Sequence, residues 1–230
     1  MFFVTGDLHG DIDMGKLNSR SWPEQKKLTR DDYLIVCGDF GAVWYGDRKD
    51  NYMLKWHEDK TYTTLFVDGN HENFDSLDQY PVCIWNGGKV HMIRPHVIHL
   101  MRGQIYDIDG RTIFTFGGGM SSDRKYRKEG VSWWPREQPS EAEMEEARKN
   151  LDAYDNRIDY IITHAAPRQV LWNDLSCYRA SLKLDCSCET FLDEIMGRVL
   201  YQRWFCGHYH IDCDVPHARL QALYYGIHRI

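Results

Sequence analysis

The stretch Met1-Phe2-Phe3-Val4-Thr5-Gly6-Asp7-Leu8-His9-Gly10 sets how the rest of the chain is read. A short apolar run ends in a glycine turn that carries an aspartate and a histidine. Leu34-Ile35-Val36-Cys37-Gly38-Asp39 repeats the form, and Thr64-Leu65-Phe66-Val67-Asp68-Gly69-Asn70-His71 repeats it again. Apolar runs of about four residues without alternation are expected of strands buried on both faces. Between them lie the polar, helix-compatible segments 11–30 and 47–60. Strands alternating with helices predict right-handed crossovers and a largely parallel sheet.

Beyond these runs the middle of the chain changes character. Segments 89–93, 97–101, 104–108 and 112–116 are short, close together and partly alternating, with Arg102-Gly103 and Asp109-Gly110 as turns. They are read as antiparallel hairpins. Ser140-Glu141-Ala142-Glu143 is a capping box that opens a helix reaching about Tyr154. Segment 158–163 is another buried strand, ending at His164. A helix over about 189–199 and a strand over 201–206 come next, the strand ending in Gly207-His208. The expectation is an α/β (α+β) chain, a single domain over 1–230, with two sheets and flanking helices on one continuous core.

Composition narrows the class. Among 230 residues, 43% are hydrophobic and 27% charged, which excludes disordered and fibrous chains. Eight Trp, 14 Tyr and nine Phe can fill a large core. The net charge of −6 argues against stable binding to a nucleic-acid backbone. No apolar run approaches the roughly 18–20 residues that cross a bilayer, and the N-terminus lacks a signal peptide's basic and apolar regions. The seven cysteines are scattered, and Cys186-Ser187-Cys188 is too tight for a redox or zinc pair. Reduced thiols in the cytoplasm are expected.

The chemistry is carried by the residues just past each apolar run. Five strand ends supply Asp7, His9, Asp39, Asn70, His164, His208 and His210. In open α/β sheets, ligands bind at the carboxyl ends of the strands, so these side chains are expected in one place. Each alone reads as easily as a turn or capping residue. Together they form an oxygen and imidazole set without thiolate, suited to Mn, Fe or Zn. Seven donors are too many for one metal and about right for two.

Gly6-Asp7-Leu8-His9-Gly10, Gly38-Asp39, Gly69-Asn70-His71-Glu72, Thr163-His164 and Gly207-His208-Tyr209-His210 resemble, in order, the five motifs of calcineurin-like metallophosphoesterases. The resemblance spans nearly the whole chain. It implies a four-layer α-β-β-α sandwich with a dinuclear site at the strand ends. Asp7, His9 and His210 would hold one divalent cation and Asn70, His164 and His208 the other, with Asp39 bridging. Mn2+ is the first choice of metal, and Fe, Zn or Ni are accepted alternatives. A bridging hydroxide would attack phosphorus in line, and His71 would protonate the leaving oxygen as the general acid. Asn70 would also touch substrate. Gly6, Gly38, Gly69 and Gly207 are read as sharp-turn positions.

The protein-phosphatase branch of that family continues its second motif with an arginine. Here the chain reads Gly38-Asp39-Phe40-Gly41-Ala42-Val43-Trp44, so a phosphoprotein substrate is disfavoured. The replacement phosphate clamp is sought in an Arg/Trp-rich insertion at about 118–139. Arg124 or Arg127 is expected on the phosphate there, with Arg168 a weaker choice. Trp133 and Trp134 either offer a face for a base, which favours a small nucleotide-like substrate, or anchor the insertion. If exposed, they could instead meet a partner subunit, and the oligomeric state is open. Asp68 is read as a turn residue or a support for neighbouring donors. Trp44 is close enough to Asp39 to line the pocket. His57, His91, His96, His99, His217 and His228 are assigned to structure or surface. The substrate is left between a phosphomonoester and a phosphodiester. A nuclease and a catalytically silent scaffold are the alternatives.

Overall fold

The apolar runs that open the chain pair side by side and in parallel, as β1 (Phe2–Thr5), β2 (Tyr33–Val36) and β3 (Thr63–Phe66). The computed structural model describes residues 1–175 and 186–230. Later strands are β4 (Val82–Trp85), β5 (Gly88–Arg94), β6 (Val97–Leu100), β7 (Gln104–Ile108), β8 (Arg111–Phe116), β9 (Arg157–Thr163) and β10 (Leu200–Cys206). Three short ones close the chain: β11 (Cys213–Val215), β12 (Leu220–Ala222) and β13 (Ile227–Arg229). The helices are α1 (Arg48–Glu58), α2 (Phe74–Leu77), α3 (Glu141–Ala153), α4 (Arg168–Asn173) and α5 (Ser187–Arg198).

The strands form two mixed sheets, ordered β13-β1-β2-β3-β6-β5-β4 and β11-β12-β10-β9-β8-β7. Each has a parallel centre and antiparallel edges. Val4, Ile35, Leu65 and Ile98 from the first sheet pack with Ile113, Ile162 and Phe205 from the second, so the sheets face one another. The first sheet's outer face buries Phe3, Leu34 and Phe66 under Met53 and Leu54 of α1. The second sheet's outer face buries Phe114, Ile161 and Trp204 under Leu151 of α3 and Leu192 and Ile195 of α5. Burial on both faces explains the unbroken apolar runs. The arrangement is the expected four-layer sandwich.

Local signals set the helix starts. The Asp47 carboxylate accepts from Lys49 N at 2.8 Å and caps α1. The Ser140–Glu143 capping box forms as expected, with Ser140 N donating to Glu143 at 2.7 Å.

Segment 11–30 is not the expected crossover helix. It makes two short 3₁₀ turns, Met14–Leu17 and Pro23–Lys27. The Asn18 side chain accepts from both Arg20 N and Ser21 N, and Pro23 has no amide to give, so local bonds replace helical ones. Trp22 instead packs on Phe3 and Tyr62, with ring centres 5.1 and 5.2 Å away. Arg102-Gly103 is likewise not a hairpin turn. It carries the chain from β6 in one sheet to β7 in the other. The buried Arg102 guanidinium is held there by Asp68 at 2.6 Å. The β4–β5 hairpin was readable in Asn86-Gly87, both at positive φ, a dipeptide made for a tight turn.

Among the described residues six cysteines are unpaired thiols, and Cys177 lies outside them. No helix among those residues is long and apolar enough to cross a membrane.

Candidate active site

Three strands of the first sheet and two of the second end in one cluster of loops. Backbone and side chain stitch the two halves together. His208 N donates to Asp7 Oδ1 at 2.9 Å, Gly207 N donates to His164 O at 2.9 Å, and His164 Nδ1 meets Cys37 O at 2.8 Å. These contacts leave little room. A Cβ on Gly38 would lie 2.2 Å from His164 Nδ1, and one on Gly207 2.2 Å from Asp7 Oδ1. Of the four motif glycines only Gly38 has a positive φ, so for Gly6, Gly69 and Gly207 the constraint is space, not turning. The left-handed positions fall on His9, Asp39, His208 and His210 themselves. Non-glycine residues in that region are strained, and such strain clusters at functional sites.

All seven expected donors come together, in two groups that share Asp39. In the first, one donor atom from each of Asp7, His9 and His210 lies within 4.8 Å of the others. Asp7 Oδ2 is buried without a hydrogen bond, with His210 Nε2 3.2 Å away. Asp39 Oδ2 stands 3.2 Å from His9 Nε2. In the second group, His164 Nε2 is 2.9 Å from Asn70 Oδ1, 3.1 Å from His208 Nδ1 and 3.4 Å from Asp39 Oδ1. His164 donates its Nδ1 proton to the Cys37 carbonyl, which turns its Nε2 toward the oxygens of Asn70 and Asp39 and a ring nitrogen of His208. Oxygen and imidazole atoms gathered this closely, with the buried Asp7 Oδ2 left without a hydrogen bond, are the donor set that a bound cation satisfies. The residues therefore fit a pair of metal ions.

The electrostatics agree. Burial opposes ionisation of Asp39, but His164, His9 and His71 hold its carboxyl far below the usual range. Burial opposes the charged form of His9 too. Its hydrogen bond to Asp39 and the nearby carboxylates nonetheless lift its pKa to about 9. His208, buried beside His164, is pushed down to about 3. Without a metal, the first group draws a proton onto His9 and the second sheds one from His208.

The chain also supplies supports that the motif reading missed. Asp13 Oδ2 lies 2.7 Å from His9 Nδ1, fixing that ring with Nε2 turned inward. Its position four residues after His9 was the available signal. Asn70 Nδ2 donates to Ser121 Oγ at 3.0 Å, and Ser121 Oγ donates to Glu137 Oε2 at 2.5 Å. That relay turns Asn70 Oδ1 toward His164, and nothing local in the sequence announces it. Lys16 Nζ donates to the Asp7 carbonyl at 2.7 Å beneath the site. Glu72, wholly buried, accepts from Phe40 N at 2.7 Å and so braces the Asp39 turn. Asp68 is no ligand, and its carboxylate is spent on Arg102 and, at 3.3 Å, on His99.

His71 N donates to Asp39 Oδ1 at 2.7 Å, and its ring is half-buried at the mouth of a cavity of about 220 Å3. Asn70, Ser121, Ser122, Asp123 and His208 line that cavity. Burial lowers the His71 pKa; Asp39 opposes this and Arg127 adds to it. Arg127 Nη2 reaches within 3.4 Å of His71 Nε2, while its Nε is held by Asp123 at 2.7 Å. Arg124 makes no hydrogen bond to the donor cluster among the described residues. Arg168 lies at the start of α4, facing Asp193. Of the two alternatives for Trp134, the geometry favours the anchor. Trp134 is buried, donates to Asp75 at 2.8 Å and packs edge-on against Trp44.

The chain is 25% identical to a lariat debranching enzyme of Danio rerio and 22% identical to lariat debranching enzyme A of Xenopus laevis, over 90% of its own length in each case. It spans about two fifths of the length of these curated relatives, 40% and 42%. A family model described as calcineurin-like phosphoesterase matches residues 1–212. Since that match takes in every strand-end donor, the chain belongs to the calcineurin-like phosphoesterases, hydrolases of phosphoric ester bonds that typically depend on two metal ions.

Proposed function

We propose that this chain hydrolyses a small, nucleotide-like phosphoester at the seven-donor cluster. Asp7, His9 and His210 would hold one divalent cation, and Asn70, His164 and His208 the other. The observation that carries the reading is Asp39, whose two carboxylate oxygens face the two groups separately, at 3.2 Å from His9 and 3.4 Å from His164. When bound, two such cations supply Lewis-acid stabilisation of the phosphoryl oxygens and a water of lowered pKa. Mn2+ is the metal we propose, from a donor set of oxygen and imidazole.

The protein's own residues do the rest. Asp13 and the Cys37 carbonyl fix the His9 and His164 rings, so donors point inward before substrate arrives. His71, at the cavity mouth, would give its ring proton to the leaving oxygen. The burial that lowers its pKa makes the protonated ring a stronger acid. Arg127, whose Nη2 is 3.4 Å from His71 Nε2, would turn from His71 onto a phosphate oxygen in preference to Arg124, since a guanidinium binds phosphate in two-point fashion. Residues 38–44 carry no arginine, which keeps phosphoproteins the disfavoured substrate. The relatives' lariat substrate is a property of those proteins.

The test is hydrolysis of a nitrophenyl phosphodiester and the matching monoester by metal-stripped protein reloaded with Mn2+. Turnover that returns with metal in the wild type, and does not return in Asp39→Asn, is expected. Metal-independent turnover, or none of either ester, would sink the proposal.

A further inference from the structure

A second cavity borders the donor cluster. It holds about 210 Å3 and shares His71 with the first, adding His9 from the metal-ligand group. Ile12, Trp44, Tyr45 and Met53 form its apolar wall. Each cavity is smaller than the roughly 300–1,000 Å3 of a pocket that takes a whole drug-sized ligand. A phosphorus centre held at the cluster would therefore place its substituents into two separate compartments.

The apolar wall is built, not incidental. Trp44 N, Tyr45 N and Gly46 N all donate to the single oxygen Asp50 Oδ2, at 2.7, 2.7 and 2.8 Å. Asn73 Nδ2 grips the Trp44 carbonyl at 2.7 Å, and Trp134 packs edge-on against the Trp44 ring with centres 5.5 Å apart. The loop is thus pinned from α1, from the start of α2 and from the 117–139 segment. Yet what it presents is left in water: Tyr45 is 68% exposed, and Ile12 across the opening is 77% exposed. Backbone fixed this firmly would gain stability by burying those side chains, and here it holds them out beside the reacting centre. An ion pair, Lys49–Asp11 at 2.8 Å, adds a polar donor and acceptor to the same rim.

We infer that this cavity is a nucleobase subsite, in which the base of a nucleotide whose phosphate lies at the seven-donor cluster stacks on the exposed Tyr45 ring beside Trp44 and Ile12. The inference rests on the phosphoesterase reading and names its substrate class. An exposed tyrosine ring with Trp44 edge-on beside it, centres 6.4 Å apart, suits a base's π-face, and the Lys49–Asp11 edge offers hydrogen bonds to its rim. It also moves the base away from Trp133 and Trp134, the second of which is already occupied with Asp75.

Adenosine 5′-monophosphate and ribose 5-phosphate differ only in the base, so the ratio of their affinities isolates this subsite. Both are titrated calorimetrically, as their non-hydrolysable 5′-phosphonate analogues, into the Mn2+-loaded protein, in the wild type and in Tyr45→Ala and Ile12→Ser. Stacking on one aromatic side chain predicts a wild-type preference of about tenfold or more for the nucleotide, falling toward unity in Tyr45→Ala. A wild-type ratio near one overturns the subsite, and so does a ratio that both variants retain. Because binding is read without turnover, the outcome is separate from the phosphoesterase test. A protein that prefers the nucleotide but hydrolyses neither nitrophenyl ester keeps the subsite and loses the catalytic reading.

Discussion

The strand-end cluster and the 117–139 segment meet at His71 from opposite sides, and they are built by different physics. The cluster is assembled by the sheets. Each donor sits within four residues of a strand end, so pairing of strands brings the donors together. The 117–139 segment has no ladder to place it. It is positioned by individual side chains: Glu137 under Ser121, Trp134 on Asp75, and Arg127 between Asp123 and His71. On the proposed function the cluster would hold the reacting atoms, and the segment would tune them.

Graded substitutions test that division of labour. Asp39→Asn removes the one group that both halves of the cluster share, so essentially all metal-dependent turnover should go and bound metal should fall. Full activity by hydrolysis assay, with metal content by elemental analysis, would end the bridging role. Next come the supports. Asp13→Asn acts from the cluster side and Ser121→Ala from the segment side, and each should weaken metal binding or activity by roughly 10–100-fold. If only Asp13→Asn does so in a metal titration, the segment does not position Asn70.

A smaller effect is expected at the cavity mouth. Arg127→Ala should lower kcat/KM by about tenfold, as for a lost charged hydrogen bond, with metal content intact. Arg124→Ala should change it little, and the reverse pattern would move the phosphate contact. The smallest effect lies away from both regions. His57 is buried, and burial holds its pKa at about 3, below the ordinary 6.5. Below pH 6.5 the unfolded chain takes up a proton that the folded one refuses. His57 therefore adds stability above that pH, and it is lost as pH falls from 6.5 toward 3. Thermal unfolding should show Tm dropping across that window, by about 2–4 °C per kcal/mol. His57→Gln should flatten the drop, and an unchanged slope would assign it elsewhere.

Legibility in the sequence divides along the same line. Asp7, Asp39, Asn70, His164 and His208 were readable because each comes just after an apolar run, and a buried strand announces itself by composition. The capping box at Ser140 was readable for the same local reason. The 3₁₀ turns of segment 11–30 were not. Helix compatibility is a weak preference, and the Asn18 and Pro23 bonds with the Trp22 packing override it. Arg102-Gly103 looks like a turn in one dimension and proves to be a crossing between sheets, because its partner Asp68 lies 34 residues away.

Apolar runs and short spacing along one chain were enough to predict two sheets with flanking helices and to bring seven candidate donors to the strand ends, and the resemblance of the five motifs implied the family. They could not say which way the donors face, or that Ser121 and Glu137 orient Asn70. Nor could they say that Arg127 rather than Arg124 reaches His71, or that Tyr45 rather than Trp134 stands exposed beside the site. Those are facts of distance between residues far apart in the chain. They are settled when the sheets close on one another and each buried polar group must find a partner.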